Sequence, residues 1–291
     1  TWGDLFTPRQ TLCLLSFAAF VREAWRALRA NGVEDERAKA VATYLSLTLD
    51  KVAEIGNGLG RWEAVAQCTR TVFGRQAIPM VWDFGETVPI ATSAGNWNEH
   101  LRRVIDSINL TVSSGEPATV VRGSAMALPW PGGFFDAVIT DPPYYDNVQY
   151  AALSDFFYVW LKRTIGPLYP EHFATEETPK KQEAVADASR HGGDKKKANQ
   201  AYEQMMSRAF AEASRVLKPS GPMVVVYAHK TTLGWTTLVD ALRQSGFMVT
   251  EAWPLETEMG SRLLAMESSA LASSIFLVAR KREGVHTGSY E

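Results

Sequence analysis

The densest chemical signal in the sequence is Asp136-Ala137-Val138-Ile139-Thr140-Asp141-Pro142-Pro143-Tyr144. A hydrophobic run ends in an acid, two prolines and an aromatic ring. The run reads as a buried strand, Asp136 to Thr140, and in an open α/β sheet ligands gather beyond the carboxyl ends of strands. Adjacent prolines restrict a turn, so the Asp141 carboxylate and the Pro142 carbonyl can stand as a fixed pair of acceptors. Such a pair accepts both hydrogens of an exocyclic amine and leaves its lone pair directed at an electrophile. Tyr144 can stack on the ring bearing that amine, and a duplex base would have to flip out to reach it. The alternative is a rigid strand-end turn with Tyr144 as packing.

The elements around this turn are those of a layered protein. Thr7, Pro8 and Gln10 predict a capped helix start, and Leu14, Phe17, Val21 and Leu28 follow at helical spacing. Asn31-Gly32 ends that helix, and a second from near Glu34 carries Val41, Leu45, Leu49 and Val52 on one stripe. Ala77 to Phe84 is a candidate strand and Trp97 to Leu110 a candidate helix. Ser113 to Pro117 is turn material. Beyond it, strands are expected at Ala118–Arg122, Asp136–Thr140, Pro222–Tyr227, Phe247–Trp253 and Ser274–Arg280. Helices are expected near Gln200–Leu217 and Gly234–Ser245. The alternation argues a mostly parallel sheet covered by helices, with its last two strands antiparallel. The reading is therefore α/β: a mainly helical extension over residues 1–115, then an α/β portion over 116–291. A polar excursion at 171–199 carries Lys180, Lys181 and Lys195 to Lys197 among several acids, a solvated insertion or an arm for a phosphate backbone.

The chain has 291 residues, 46% hydrophobic and 21% charged, which excludes a disordered or fibrous chain. Thirty basic and 32 acidic residues give a net charge of −2, so any nucleic-acid binding must rest on a local patch. No apolar run is long enough to span a membrane and no signal peptide opens the chain. Cys13 and Cys68 are too few for a disulfide framework or a zinc cluster, so no metal is expected and a reduced, cytoplasmic setting fits. An opening at Thr1 without methionine reads as processing or as a piece of something larger.

Asp-Pro-Pro-Tyr after a hydrophobic strand resembles the catalytic signature of amino-methyltransferases that use S-adenosylmethionine, above all the N6-adenine DNA enzymes. Thr1–Leu14, Phe73-Gly74-Arg75-Gln76 through Glu86, Asp141–Arg163, Tyr227-Ala228-His229-Lys230-Thr231 and Ala270–Arg282 are similar to the large adenine-specific DNA methylases containing a Zn-ribbon. The extension Tyr145–Leu161 is more specific than the tetrad, which also occurs in RNA methyltransferases. The resemblance implies a Rossmann-like methyltransferase sheet, S-adenosylmethionine as cofactor and DNA as partner. It gives Asp141, Pro142, Pro143 and Tyr144 the catalytic roles, with Asp141 anionic and positioning carrying most of the rate. Gly123-Ser124 falls where relatives often place an acid on the cofactor adenine. Phe6-Thr7-Pro8 resembles a turn near the cofactor's methionine end, although a helix cap explains it equally.

Val52-Ala53-Glu54-Ile55-Gly56-Asn57-Gly58-Leu59-Gly60 mimics the cofactor's glycine loop, and Asp83, 23 residues past Gly60, stands where an acid would hold the ribose. The residues before these glycines have helical periodicity, so the alternative is a helix end. In the proteins this chain resembles, the glycine loop and its acid lie upstream of the matching segments. If Gly56–Gly60 ends a helix, the sheet lacks its first strands, and an N-terminal portion of the same polypeptide would be a partner. The family's zinc-ribbon cysteines are absent. Trp82 to Glu86 is family-like and lines either a cleft or a core. Tyr145, Asn147 and Tyr150 follow the tetrad as candidate substrate contacts, with Asp155, Tyr158 and Trp160 beyond; packing is favoured for Phe156, Phe157 and Trp160. His229-Lys230 after a strand end suits a phosphate contact or a surface turn. The expected reaction is methyl transfer to adenine N6 in DNA, with cytosine N4, an RNA base or a non-catalytic DNA-recognition portion as alternatives.

Overall fold

Thr7 opens the first helix as its sequence predicts. Its hydroxyl accepts the Gln10 N–H while the Gln10 side chain accepts the Thr7 N–H at 2.8 Å, a complete capping box. The computed structural model describes residues 2–74, 77–112, 116–145, 148–228, 232–255 and 274–282. The chain divides into two compact units, one of residues 1–118 with 150–181, the other of 119–149 with 182–291. The whole is mixed α/β, with helices at the N-terminus and a mixed sheet toward the C-terminus.

The first unit holds α1 (Pro8–Ala30), α2 (Asp35–Ile55), a minimal hairpin of β1 (Trp62–Glu63) and β2 (Cys68–Thr69), α3 (Trp97–Val112) and α4 (Tyr150–Ile165). Leu14 and Ala18 of α1, Leu49, Val52 and Ala53 of α2, and Phe156 and Trp160 of α4 form its core. Burying each large side chain of this kind is worth about 1.5–3 kcal/mol. The aromatic residues expected to pack do so: Phe156 is 1% exposed and Phe73 meets it edge-on at 5.3 Å. Asp155 is also buried, accepting from the Thr178 amide and hydroxyl and from Lys180 at 2.7 Å. Burial works against the charged form, but these partners hold the Asp155 carboxyl below its ordinary value. Ala77–Phe84 forms no strand; Met80 and Trp82 stand almost wholly exposed, with no strand paired to them among the described residues.

The second unit is a four-stranded sheet among the described residues, ordered β3 (Val138–Thr140), β4 (Met223–Tyr227), β6 (Ser274–Lys281), β5 (Phe247–Leu255), with α5 (Lys195–Val216) and α6 (Thr232–Gln244). β3 and β4 are parallel; β6 runs antiparallel to both β4 and β5, as expected for the last pair. Asp194 caps α5, and Ala198, Tyr202, Met206, Phe210 and Ala213 bury one stripe of it. Gly221 is required where the chain passes the start of β3, since a Cβ there would lie 2.6 Å from the Asp136 carbonyl.

Three further expectations change. The strand before Asp141 is shorter than Asp136–Thr140 and is not buried: Ile139 is 74% exposed, because it shares the sheet face of half-buried Val224, opposite the buried Met223, Val225 and Tyr227. Ala118–Arg122 is irregular, with Val120 91% exposed, so its apolar pattern alone made no strand. The excursion at 171–199 is partly helical, since Lys195–Lys197 form the first turn of α5 and Ala188–His191 a 3-10 turn. No helix among the described residues is long and apolar enough to cross a membrane.

Candidate active site

Parallel pairing of Thr140 with Val225 puts the ends of β3 and β4 on the same side of the sheet. Asp141 leaves from that end and Tyr227 closes β4 beside it. Pro142 and Pro143 bring no N–H to the turn, so their polar groups are acceptors only. The Pro143 carbonyl is taken: the Tyr202 hydroxyl donates to it at 2.8 Å and the Tyr145 N–H at 3.2 Å. Neither the Asp141 carboxylate nor the Pro142 carbonyl has a hydrogen-bond or ion-pair partner among the described residues. Asp141 is exposed and Pro142 buried. The turn therefore keeps one charged and one sheltered neutral acceptor side by side in sequence.

Aromatic rings support the turn from below. Tyr144 is half-buried and meets Tyr227 edge-on at 5.2 Å; Tyr227 in turn meets Trp235 at 5.2 Å, and its hydroxyl donates to the Gly234 carbonyl at 3.3 Å. Tyr145, expected to face substrate, is instead 7% exposed, its ring edge-on to Tyr202 at 5.1 Å. Its backbone explains this placement. Tyr145 sits at φ +48°, its N–H also donates to the Tyr202 hydroxyl at 3.2 Å, and its carbonyl accepts from Ala186 at 2.9 Å. Burial pushes the Tyr202 and Tyr227 phenols above the ordinary tyrosine value, with their mutual proximity adding to the rise at Tyr227, so both remain neutral donors near pH 7.

Ser124 lies in a closed turn in the same unit. Its hydroxyl accepts from the Met126 N–H at 3.2 Å, its carbonyl from Ala127 at 3.0 Å, and Gly123 has open space around it. No hydrogen bond joins this turn to Asp141–Tyr144 among the described residues. Asn147, His229 and Lys230 lie outside the described residues.

The other expected cofactor contacts belong to the first unit. Phe6 packs on Phe156 and Trp160, at 5.8 and 5.3 Å, and Thr7 caps α1 while donating to Glu86, which also pairs with Arg9. Pro8 is the first residue of that helix. Gly56 is the C-cap of α2, its N–H bonded to the Val52 carbonyl at 2.8 Å, so the helix-end reading holds. The Gly58 and Gly60 amides are bonded to the Leu5 and Asn57 carbonyls. A Cβ at Gly56 would meet the Val52 carbonyl at 3.0 Å, at Gly58 the Leu5 carbonyl at 3.1 Å, and at Gly60 the Thr69 methyl at 2.6 Å. These glycines let protein pack on protein. Asp83 is exposed and accepts the N–H of Phe84 at 2.8 Å, and Tyr150 is the half-exposed first residue of α4.

Tyr202 is the residue that sequence reading missed. A tyrosine in the middle of a buried apolar stripe, whose hydroxyl must find a partner, was the available signal. Among the described residues no group of three or more His, Cys, Asp or Glu is placed to hold a metal ion.

No family model matches the chain, and none of the curated proteins searched matches it. Among solved structures, TTHA0409 of Thermus thermophilus, provisionally assigned as a DNA modification methylase, aligns with 14% identity over 57% of this chain and 55% of its own, at a TM-score of 0.32. The [4+2]-cyclase SpnF aligns with 16% identity over 64% of this chain and 63% of its own, at a TM-score of 0.31. The chain thus spans just over half of the first structure and less than two thirds of the second.

Proposed function

We propose that the Asp141–Tyr144 turn is the amine-binding half of a methyltransferase site, acting on the N6 amine of adenine in DNA with S-adenosylmethionine as methyl donor. One observation carries this reading: at a strand carboxyl end, the Asp141 carboxylate and the Pro142 carbonyl are adjacent acceptors with no partner among the described residues, while the next carbonyl is occupied. Two acceptors match the two hydrogens of a primary amine on a flat ring. Holding both directs the nitrogen lone pair away from the turn, and Tyr144 supplies a ring for the base. The adenine and DNA labels rest on the resemblance of the sequence to N6-adenine methylases.

The glycine-loop candidates Gly56, Gly58 and Gly60 are taken up by the fold. The Gly56, Gly58 and Gly60 amides are bonded within the chain and their Cβ positions face protein atoms, so no donor for a cofactor remains there. The role argued for this chain is accordingly that of gripping and orienting the amine. The filled glycine positions favour, as a second reading, a DNA-recognition portion that does no chemistry alone.

The test compares binding of two single-stranded thymine oligonucleotides, one carrying a single adenine and the other purine, without the exocyclic amine, at the same place. Charge-assisted hydrogen bonds of about 1.5–3 kcal/mol predict an adenine preference of roughly 10- to 100-fold. Equal affinity, or no binding of either, overturns the proposal. Label from methyl-tritiated S-adenosylmethionine appearing in N6-methyladenine would separate catalysis from the recognition-only reading.

A further inference from the structure

The two prolines do not stiffen every joint of the turn. A following proline confines the residue before it to extended ψ, so Asp141 and Pro142 are both restricted. Pro143 precedes Tyr144, and its ψ is the first free rotation after the two acceptors. The Tyr202 hydroxyl donates to the carbonyl of that very residue at 2.8 Å. On the far side of Tyr144, Tyr145 occupies the left-handed region at φ +48°, a conformation a bulky residue holds only when its surroundings enforce it. Its N–H donates to the same hydroxyl oxygen at 3.2 Å.

Tyr202 is 2% exposed, and its ring packs on Tyr145. One dry hydroxyl thus brackets Tyr144 by accepting from the residue after it and donating to the residue before it. Burial favours the neutral phenol, which keeps the donated proton in place.

We propose that Tyr202 is a positioning residue that fixes the angle between the Asp141–Pro142 acceptors and the Tyr144 ring by clamping Pro143 and Tyr145 together. The proposal rests on the amine-binding reading of the turn. It predicts that grip on the amine, rather than stability, is what the Tyr202 hydroxyl chiefly serves.

The experiment is Tyr202→Phe in the full chain, which keeps the packed ring and removes the hydroxyl. With tyrosine-selective 15N labelling, hydrogen exchange at the Tyr145 amide should quicken about two- to fivefold, since that N–H, shared with the Pro143 carbonyl at 3.2 Å, loses one of its two acceptors. The adenine-to-purine affinity ratio should fall about tenfold, while affinity for the purine oligonucleotide stays unchanged. 3-Fluorotyrosine at position 202, which keeps the hydroxyl, should preserve the ratio. An unchanged ratio in the folded Tyr202→Phe protein overturns the positioning role alone. A wild-type ratio near one overturns the amine-binding reading and the positioning role with it. Should Tyr202→Phe not fold, the wild-type Tyr145 amide decides: protection no greater than that of an unbonded surface amide overturns the clamp.

Discussion

Gly56–Gly60 and Asp141–Tyr144 are both short, both look like ligand-binding motifs in sequence, and they end in opposite conditions. The glycine amides are all bonded within the protein, to Val52, Leu5 and Asn57, and the space beside each glycine is filled. A phosphate- or cofactor-binding loop works because its N–H groups remain unsatisfied and open. The proline turn keeps two acceptors that no described residue takes up, and it is braced by Tyr202 and Tyr227, whose own hydroxyls are satisfied. Whether a motif can bind depends on which polar groups remain after the fold has met its own demands. Spacing alone does not decide it.

The largest expected effect comes from Asp141→Ala. The adenine-to-purine affinity ratio should fall to about one, a loss of roughly 10- to 100-fold. The thermal midpoint should barely move, because the exposed carboxylate has no partner among the described residues. A large fall in melting temperature would instead make Asp141 structural and erase the contrast with the glycine segment.

Gly60→Ala should do the reverse. Its Cβ would press on the Thr69 methyl at 2.6 Å and the Ile55 carbonyl at 2.9 Å, an overpacking worth about 1–3 kcal/mol in urea unfolding. The adenine preference should be unaffected. A neutral Gly60→Ala would mean that the glycine is not there for packing, and the cofactor-loop reading would regain ground.

The helix that Gly56 ends offers a sharper test. Asp50 is buried in α2 with one carboxylate oxygen unpartnered among the described residues, and burial pushes its carboxyl well above the ordinary value, with Lys51 opposing and Glu54 reinforcing. A raised folded value means the folded chain holds a proton that the unfolded chain releases. The contribution is therefore full below the ordinary carboxylate value and is lost as pH rises through the folded value. Asp50→Asn should raise the midpoint at pH 7 and flatten that slope, a smaller change than Gly60→Ala. Scanning calorimetry from pH 4 to 8 reads it.

The smallest effect near neutrality belongs to the tyrosines under the turn. Tyr202 and Tyr227 keep their protons beyond the ordinary tyrosine value, mainly through burial. Their stabilisation is full below about pH 10, where unfolded tyrosine begins to ionise, and falls as pH rises above it. Tyr202→Phe should weaken that alkaline loss, which denaturation midpoints between pH 8 and 11 would record.

The capping box at Thr7, the α2 helix ending at Gly56, the α5 and α6 helices and the antiparallel last strands were all legible in the sequence. Each follows from neighbours within one or two turns, or from alternation that burial of one face enforces. The strand-end position of Asp141 was legible for the same reason. Three matters lay beyond local pattern. Ile139 stands exposed because it lies on the sheet face of Val224, opposite the buried Met223 and Val225, and a hydrophobic run carries no label for which face is covered. Tyr145 turns inward because Tyr202, 57 residues along the chain, receives its amide. The acceptors left at Asp141 and Pro142 became visible only once the Pro143 carbonyl and the Tyr145 N–H and carbonyl had been assigned their partners. Local sequence sets which conformations are cheap; which groups remain for a ligand is settled by contacts between residues far apart in the chain.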